Sequence, residues 1–247
     1  MRKFLCSLIP ALLLSMVAAA QSADEVIAKH IEAMGGMGKL QAVKSELTVG
    51  VTEVNGMKIH VSILRKRSNK VREEISAPGV TQVQAYDGER GWRIAPRMKE
   101  PELLTGDDLN DLKSETDIDG PLVNYKDKGS RVELVGKEKI GGADTYNLRL
   151  TSKDGKVDNY YIDAQSFLIV KNVGTVRHND VEEIVESTYG DRRSVDGIMY
   201  AYFTEMRKRG SPEQAIKIKI DKIELNGMAE DSLFEMPATP VKSQPPK

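Results

Sequence analysis

From Lys44 onward the chain alternates apolar and polar residues with a period of two. Leu47, Val49 and Val51 are interleaved with Glu46, Thr48, Gly50 and Thr52, and after Asn55-Gly56 the run Met57, Ile59, Val61 and Ile63 is interleaved with Lys58, His60 and Ser62. Side chains on a strand point alternately to opposite faces, so this pattern predicts antiparallel strands with one apolar face, joined by a tight hairpin. Residues 71–75 and 80–86 continue the meander. Asp87-Gly88 then turns the chain into Gly91-Trp92-Arg93-Ile94-Ala95-Pro96. Beyond Pro96 the period is lost over 98–125, which holds Pro101, Gly106, Gly120 and Pro121 and a short helical stretch at 107–112. Leu103, Leu104, Leu109, Leu112, Leu122 and Val123 give this insertion an apolar underside, so it reads as a cover rather than a strand. The strand pattern returns at Arg131. Turns at Gly141-Gly142, Asp154-Gly155, Asp196-Gly197 and Gly210-Ser211-Pro212 separate strands at 144–151, 157–163, 167–176, 181–189, 198–206 and 215–225. The total is about eleven or twelve strands, more than an open twisted sheet holds without curling or splitting.

Before the strands, Ser22-Ala23-Asp24-Glu25 has the form of a helix-capping box, Ile27, Ile31 and Met34 follow at helical spacing, and Gly35-Gly36 ends the helix. Arg2 and Lys3, the apolar run from Phe4 to Val17 and Ala18-Ala19-Ala20 read as a signal peptide over 1–20, so export to the periplasm is expected. Residues 21–236 read as a single domain. Pro237, Pro240, Pro245 and Pro246 mark 237–247 as a disordered tail.

Candidate chemistry is sparse. The single cysteine, Cys6, falls in the signal segment, which removes disulfides, thiolate nucleophiles and cysteine metal sites from the mature chain. With 36 basic and 37 acidic residues the formal charge is −1, giving no bulk signal for nucleic acid. No nucleophile elbow, His-Glu-x-x-His or phosphate-binding loop occurs. His30, His60 and His178 are the only histidines, and His30 reads as a boundary residue of the first helix. Glu73-Glu74 and Glu182-Glu183 are strand neighbours that point to opposite faces and cannot act as carboxylate pairs. Asp107, Asp108, Asp111, Asp117 and Asp119 lack the calcium-loop spacing and read as a helix start with a solvated loop. No metal or cofactor is expected. Two basic clusters, Arg65-Lys66-Arg67 and Arg207-Lys208-Arg209, lie at hairpin ends, either as solvated strand ends or as contacts to anionic headgroups. Trp92 fills the core by default, and its place beside the insertion keeps stacking on a ligand open.

Ala33-Met34-Gly35-Gly36, Tyr86-Asp87-Gly88 followed by Gly91-Trp92 and Pro96, Asp119-Gly120-Pro121-Leu122-Val123, Gly136 to Tyr146 with Gly142, and Tyr160-Tyr161-Ile162-Asp163 followed by Phe167-Leu168-Ile169-Val170-Lys171 together resemble LolA-like outer-membrane lipoprotein-sorting proteins. The resemblance implies a mainly β fold with an α lid: an incomplete, strongly curved antiparallel barrel covered by the N-terminal helix and the helical insertion. It implies a non-enzymatic periplasmic carrier, acting as a monomer, that holds lipid or lipoprotein acyl chains in an apolar cavity. A membrane-associated donor or acceptor protein would be a further partner. Met57, Ile59, Val61, Ile63, Trp92, Ile94, Leu103, Leu104, Leu109, Leu112 and Leu122 are the expected ligand-binding residues, with Trp92 and Ile94 at the rim of the half-barrel. The family's better-known carriers hold the lid shut with a particular arginine; here the sequence departs from that pattern, since it aligns none of Arg65, Arg67 and Arg93 to that position and leaves the locking residue open. If Leu103, Leu104, Leu109 and Leu112 cover the mouth, their burial is worth roughly 6–12 kcal/mol. A myristoyl-length chain offers about 10 kcal/mol, so it could displace such a lid. A sensor or scaffold using the same half-barrel to bind a partner protein, as RseB-like relatives do, is the alternative.

Overall fold

A computed structural model describes residues 21–54, 56–98, 100–178, 181–211 and 215–238. The expected signal segment 1–20, the turn residues Asn55 and Pro212 and the end of the proline-rich tail lie outside the described residues.

The capping box at Ser22 forms as its spacing requires. The Glu25 amide donates to the Ser22 hydroxyl, the Glu25 carboxylate accepts from the Ser22 amide, and α1 runs over Ala23–Ala33. A second short helix, α2 (Met37–Ala42), follows directly where the sequence suggested only a stop. Gly35 makes this junction possible. Its φ of 123° suits glycine, and a Cβ there would sit 2.3 Å from the Gly197 carbonyl oxygen.

Among the described residues thirteen strands follow: β1 (Ser45–Val54), β2 (Met57–Lys66), β3 (Lys70–Ala77), β4 (Val80–Tyr86), β5 (Gly91–Ile94), β6 (Glu102–Leu103), β7 (Arg131–Ile140), β8 (Ala143–Thr151), β9 (Val157–Asp163), β10 (Ile169–His178), β11 (Val181–Val195), β12 (Ile198–Lys208) and β13 (Ile216–Leu225). They form one sheet in the order β6-β5-β4-β3-β2-β1-β13-β12-β11-β10-β9-β8-β7, all pairs antiparallel. The chain winds outward from β1 in one direction, crosses to the opposite edge and winds back, so that β13 closes against β1. Among the described residues β6 and β7 do not pair, which leaves the barrel open. The insertion carries α3 (Gly106–Ser114). It also contains β6, a strand inside a segment whose lost periodicity had excluded one. Two residues are too short for any period to register.

The sheet is strongly curled. One cleft beside α3 is lined both by Glu73 and Gln84 from β3 and β4 and by Lys156 and Val176 from the β8–β9 turn and β10. These strands are far apart in the sheet order and face each other across the inside of the curl. On this inner face α1 packs Val26 and Ile27 against Leu148, Leu150 and Ile162 of β8 and β9. α3 packs Leu112, with Leu104 just before it, against Val71 and Tyr86 of β3 and β4.

Strand parity corrects one expectation. The hairpin pairs Val54 with Met57 and keeps that register to Ser45 and Lys66, so Thr48 shares a face with Ile63, and Val49 with Ser62. Leu47, Val49 and Val51 of β1 therefore lie on the face opposite to Met57, Ile59, Val61 and Ile63 of β2. A two-residue turn sets the register, and the register decides the face.

The outer face has its own cover at one end. Val83, Ala85, Trp92 and Ile94 lie there together, with Met236 against them. Phe234, fully buried, presents its carbonyl to the indole Nε1–H of Trp92 at 2.8 Å. A 3-10 turn at Asp231–Leu233 leads into this strap, and Asp231 takes ion pairs from Lys66 and Lys70. Replacing Phe234 by alanine is expected to destabilise the protein by about 3–5 kcal/mol. Urea denaturation followed by Trp92 fluorescence would read the loss, and the indole, freed from its cover, should emit further to the red before global unfolding.

Candidate functional site

Neither helix covers the middle of the inner face. α1 lies over β8 and β9, α3 over β3 and β4, and between them a cavity of about 400 Å³ opens on β1, β2, β11, β12 and β13. Its walls are mostly apolar: Val61 and Ile63 from β2, Ile218, Ile220 and Ile223 from β13, with Tyr189 and Tyr200 completing the ring. The volume falls within the range of small-molecule pockets, roughly 300–1,000 Å³.

The cavity ends at a polar hub. Arg65, projecting inward from β2, donates from Nε to the Glu115 carbonyl at 2.6 Å and from Nη2 to the Glu115 carboxylate at 2.7 Å. Its Nη1 reaches Glu46 of β1 at 3.2 Å, and the Tyr200 hydroxyl donates to the same carboxylate at 2.9 Å. Burial opposes the Arg65 charge, but Glu115 and Glu46 more than offset it and hold its pKa above the ordinary value. Glu115 caps the C-terminus of α3, so this arginine ties the covering helix to the floor of the sheet.

The two neighbouring candidates also reach the covering segments. Arg67 grips the Asp119 carboxylate with both terminal nitrogens at 2.7 and 2.8 Å and donates to the Leu40 carbonyl of α2. Arg93 pairs with Glu102 at 2.7 Å and more loosely with Asp108 of α3 at 3.4 Å. All three arginines left open by the sequence thus hold the cover. Only Arg65 lines the cavity. The basic cluster Arg65-Lys66-Arg67 is consumed by these internal contacts and by the strap.

Beside the hub, and sharing Glu115 with it, lies a second, polar cleft of about 380 Å³ lined by Glu73, Gln84, Asp111 and Lys156 among others. Burial raises the pKa of Glu73 and of Asp111, and nearby carboxylates add to both shifts. Gln84 donates to Glu73 at 2.6 Å, which offsets only part of that cost. Burial also raises the Tyr160, Tyr189 and Tyr200 hydroxyls, which remain neutral donors on the inner face. Under α1, His30 is buried with Nδ1 2.8 Å from the Phe167 carbonyl, and burial depresses its pKa.

Of the expected ligand-binding residues, Val61 and Ile63 line the cavity. Ile59 and Met57 lie on the same inner face progressively nearer its open end, Met57 being 50% exposed at the hairpin tip. Leu104, Leu109 and Leu112 are on the inner side but are packed against Val71 and Tyr86, and Leu122 is packed under α1. They build the cover without reaching the cavity. Trp92 and Ile94 are corrected outright: β5 pairs Arg93 with Gln84 on the inner face, so both point outward beneath the strap, and Trp92 is 0% exposed. Leu103, opposite Trp92 across β5 and β6, is on that outer side as well and 57% exposed. It covers nothing on the inner face. The residues that the sequence did not point to are Ile218, Ile220 and Ile223, brought to the site only by the pairing of β13 with β1, and the polar Glu46, Glu115, Tyr189 and Tyr200. Polar character hid the last four inside a pattern read for apolar alternation.

Among the described residues no group of His, Cys, Asp and Glu is arranged to hold a metal ion, and no helix is long and apolar enough to cross a membrane. No known sequence-family profile and no curated protein matches the chain. Solved structures do match. A LolA superfamily protein from Nitrosomonas europaea superposes with TM-score 0.57 at 16% identity, over 87% of this chain and 98% of that one.

The fold is LolA-like.

A DUF1329 family protein from Desulfovibrio piger ATCC 29098 gives TM-score 0.58 at 13% identity, covering 86% of this chain and 96% of that chain. An outer-membrane lipoprotein-sorting protein domain from Vibrio parahaemolyticus gives 0.52 at 13%, over 84% and 97%. At these identities the likeness establishes the LolA-like fold alone. The cavity and its arginine hub rest on the geometry of this chain.

Two outcomes follow, one from the hub and one from the cleft beside it. Arg65→Leu should cost about 3–5 kcal/mol, because Glu46 would stay buried without its cation. Adding Glu46→Leu should restore much of that loss in a double-mutant cycle of thermal midpoints. Glu73→Gln should be more stable than the native protein at pH 7. A raised native pKa makes the charged form costly, and that cost disappears as pH falls through the native pKa toward about 4.3, the ordinary glutamate value. The two denaturation curves should converge in acid.

Proposed function

We propose that the protein is a periplasmic binding or carrier protein for acyl chains of lipids or lipoproteins, acting without covalent chemistry. The observation that carries this reading is the apolar cavity between the two covered flanks of the inner face, walled by Val61, Ile63, Ile218, Ile220 and Ile223 and closed at one end by Arg65. An apolar chain placed there would replace water against five aliphatic side chains, each contact adding to the free energy of transfer. The hub then acts as a stop at the inner end, where Tyr200, Arg65 and Glu46 offer polar atoms to an ester or amide group. Export to the periplasm is part of the same proposal.

A sensor or scaffold that engages a partner protein is the second reading. It draws on the two flanks of the inner face, which α1 and α3 already fill with the chain's own side chains and which leave a modest space.

Native mass spectrometry of protein isolated from its own periplasm should reveal a co-purifying acyl ligand. Ile63→Trp, which fills the cavity, should weaken uptake of a fluorescent fatty acid about tenfold or more, since each 1.4 kcal/mol is a factor of ten. Absence of any acyl ligand together with no fatty-acid uptake would remove the carrier reading. A partner protein captured equally well by native and Ile63→Trp forms would favour the scaffold.

A further inference from the structure

The two ends of the half-barrel differ. At one end Gly35 sits against Gly197, Lys39 donates to the Gly197 carbonyl, and Arg67 ties α2 to Asp119, so the cavity is plugged there. At the other end no helix caps the strands among the described residues, and apolar side chains stand in solvent. Val54, Met57, Ile75, Val80 and Ile216, all 39 to 50% exposed, come from five adjoining strands. The pairings place all five on the inner face: Val54 opposite Met57, Val80 opposite Ala77, Ile75 opposite Val61, and Ile216 opposite Met206 in line with the Thr52–Ile218 pair.

These residues are continuous with the cavity. Along β2 the inner face reads Met57, Ile59, Val61 and Ile63, of which Met57 is exposed and the other three are half-buried. Along β13 it reads Ile216, Ile218, Ile220 and Ile223, passing from exposed through half-buried to buried. Two parallel apolar tracks thus run from the open rim to the hub. A monomeric soluble surface seldom carries a contiguous apolar arc of this kind without a use for it.

The charges around the rim favour one occupant. On the outer face of these strands and of neighbouring β12, Lys58, Arg207, Lys217 and Lys219 stand against Glu53, Glu74 and Glu205; Glu205 is shared by Arg207 and Lys217, and Glu74 is paired with Arg72. An apolar arc backed by surplus cations is the pattern that seats in the boundary between acyl chains and anionic headgroups of a bilayer.

We propose that this rim docks on an anionic lipid bilayer, with Val54, Met57, Val80 and Ile216 entering the headgroup boundary, and that acyl chains pass between membrane and cavity along the β2 and β13 tracks. The proposal rests on the carrier reading for the destination of the chain, while docking itself is independent of it. Seated this way, the open end faces the membrane and an acyl chain need not cross water, where each exposed methylene opposes transfer.

Flotation of the native protein with vesicles of phosphatidylethanolamine and phosphatidylglycerol tests it. The native protein should float with these vesicles, and more weakly with phosphatidylcholine alone or at high salt, because screening weakens surface charge attraction. The variants Val54→Asp, Val80→Asp and Ile216→Asp should each bind about tenfold less. These side chains are exposed, so folding should persist; Lys58→Glu with Lys217→Glu provides a second set that leaves the apolar arc untouched and should also weaken binding. Ile63→Trp should lose fatty-acid uptake and keep vesicle binding, which separates the two proposals. If the native protein takes up fatty acid yet ignores both kinds of vesicle, docking is wrong and the carrier reading stands. Vesicle binding unchanged in every rim variant would also overturn it. So would a dimer that the rim variants dissociate with no vesicle binding, because the rim would then belong to a second copy.

Discussion

The structure is governed by the need to cover one apolar face of a sheet that is wider than its helices. A curled sheet of thirteen strands exposes an inner surface that water cannot be allowed to wet throughout, and among the described residues only α1, α2, α3 and the loop after α3 lie on it. α1 fills the flank over β8 and β9, and α3 fills the flank over β3 and β4. The shortfall falls in the middle. The cavity is the uncovered remainder, bounded by the two places where the cover succeeds.

That arrangement explains the charged hub. A covering helix that met the sheet only through Leu104, Leu109 and Leu112 would be held by non-directional contacts and could slide along an apolar floor. Arg65 fixes its end at one position, using directional bonds to the backbone and side chain of Glu115 while Glu46 balances the charge from below. Such a network costs desolvation free energy and is weak evidence for stability in itself. What it contributes is position. Arg67 and Arg93 repeat the device at two further points of the insertion, so the lid is pinned by several separate contacts rather than by one latch.

The outer face obeys the same rule with a different solution. Its apolar patch at β4 and β5 is covered by the returning C-terminal segment, whose Phe234 carbonyl satisfies the indole N–H that would otherwise be buried without a partner. Burial on both sides of these strands also explains how a short strand such as β5 can hold its place. Each surface therefore owes its order to chain distant in sequence, and the open rim is the end to which no such segment returns among the described residues.

The strands, most of their turns and the capped first helix were legible because their causes are local: period-two alternation, glycine at positive φ, and Ser22 paired with Glu25 three residues on. The helical cover was legible in the apolar underside of the insertion, and the resemblance to LolA-like proteins added the curl, which alternation alone left open as curling or splitting. Sequence could also show that Val61 and Ile63 share a face. It could not say which face of Trp92 would be covered, because parity along β5 depends on pairing with β4 and the cover comes from Phe234, far along the chain. Nor could it connect Arg65 with Glu46, Glu115 and Tyr200, four polar residues on three strands and one helix cap. Periodicity records what each strand prefers to bury. Only the closed register of neighbouring strands and the return of remote segments decide what it is buried against, and in this protein that decision placed the cavity.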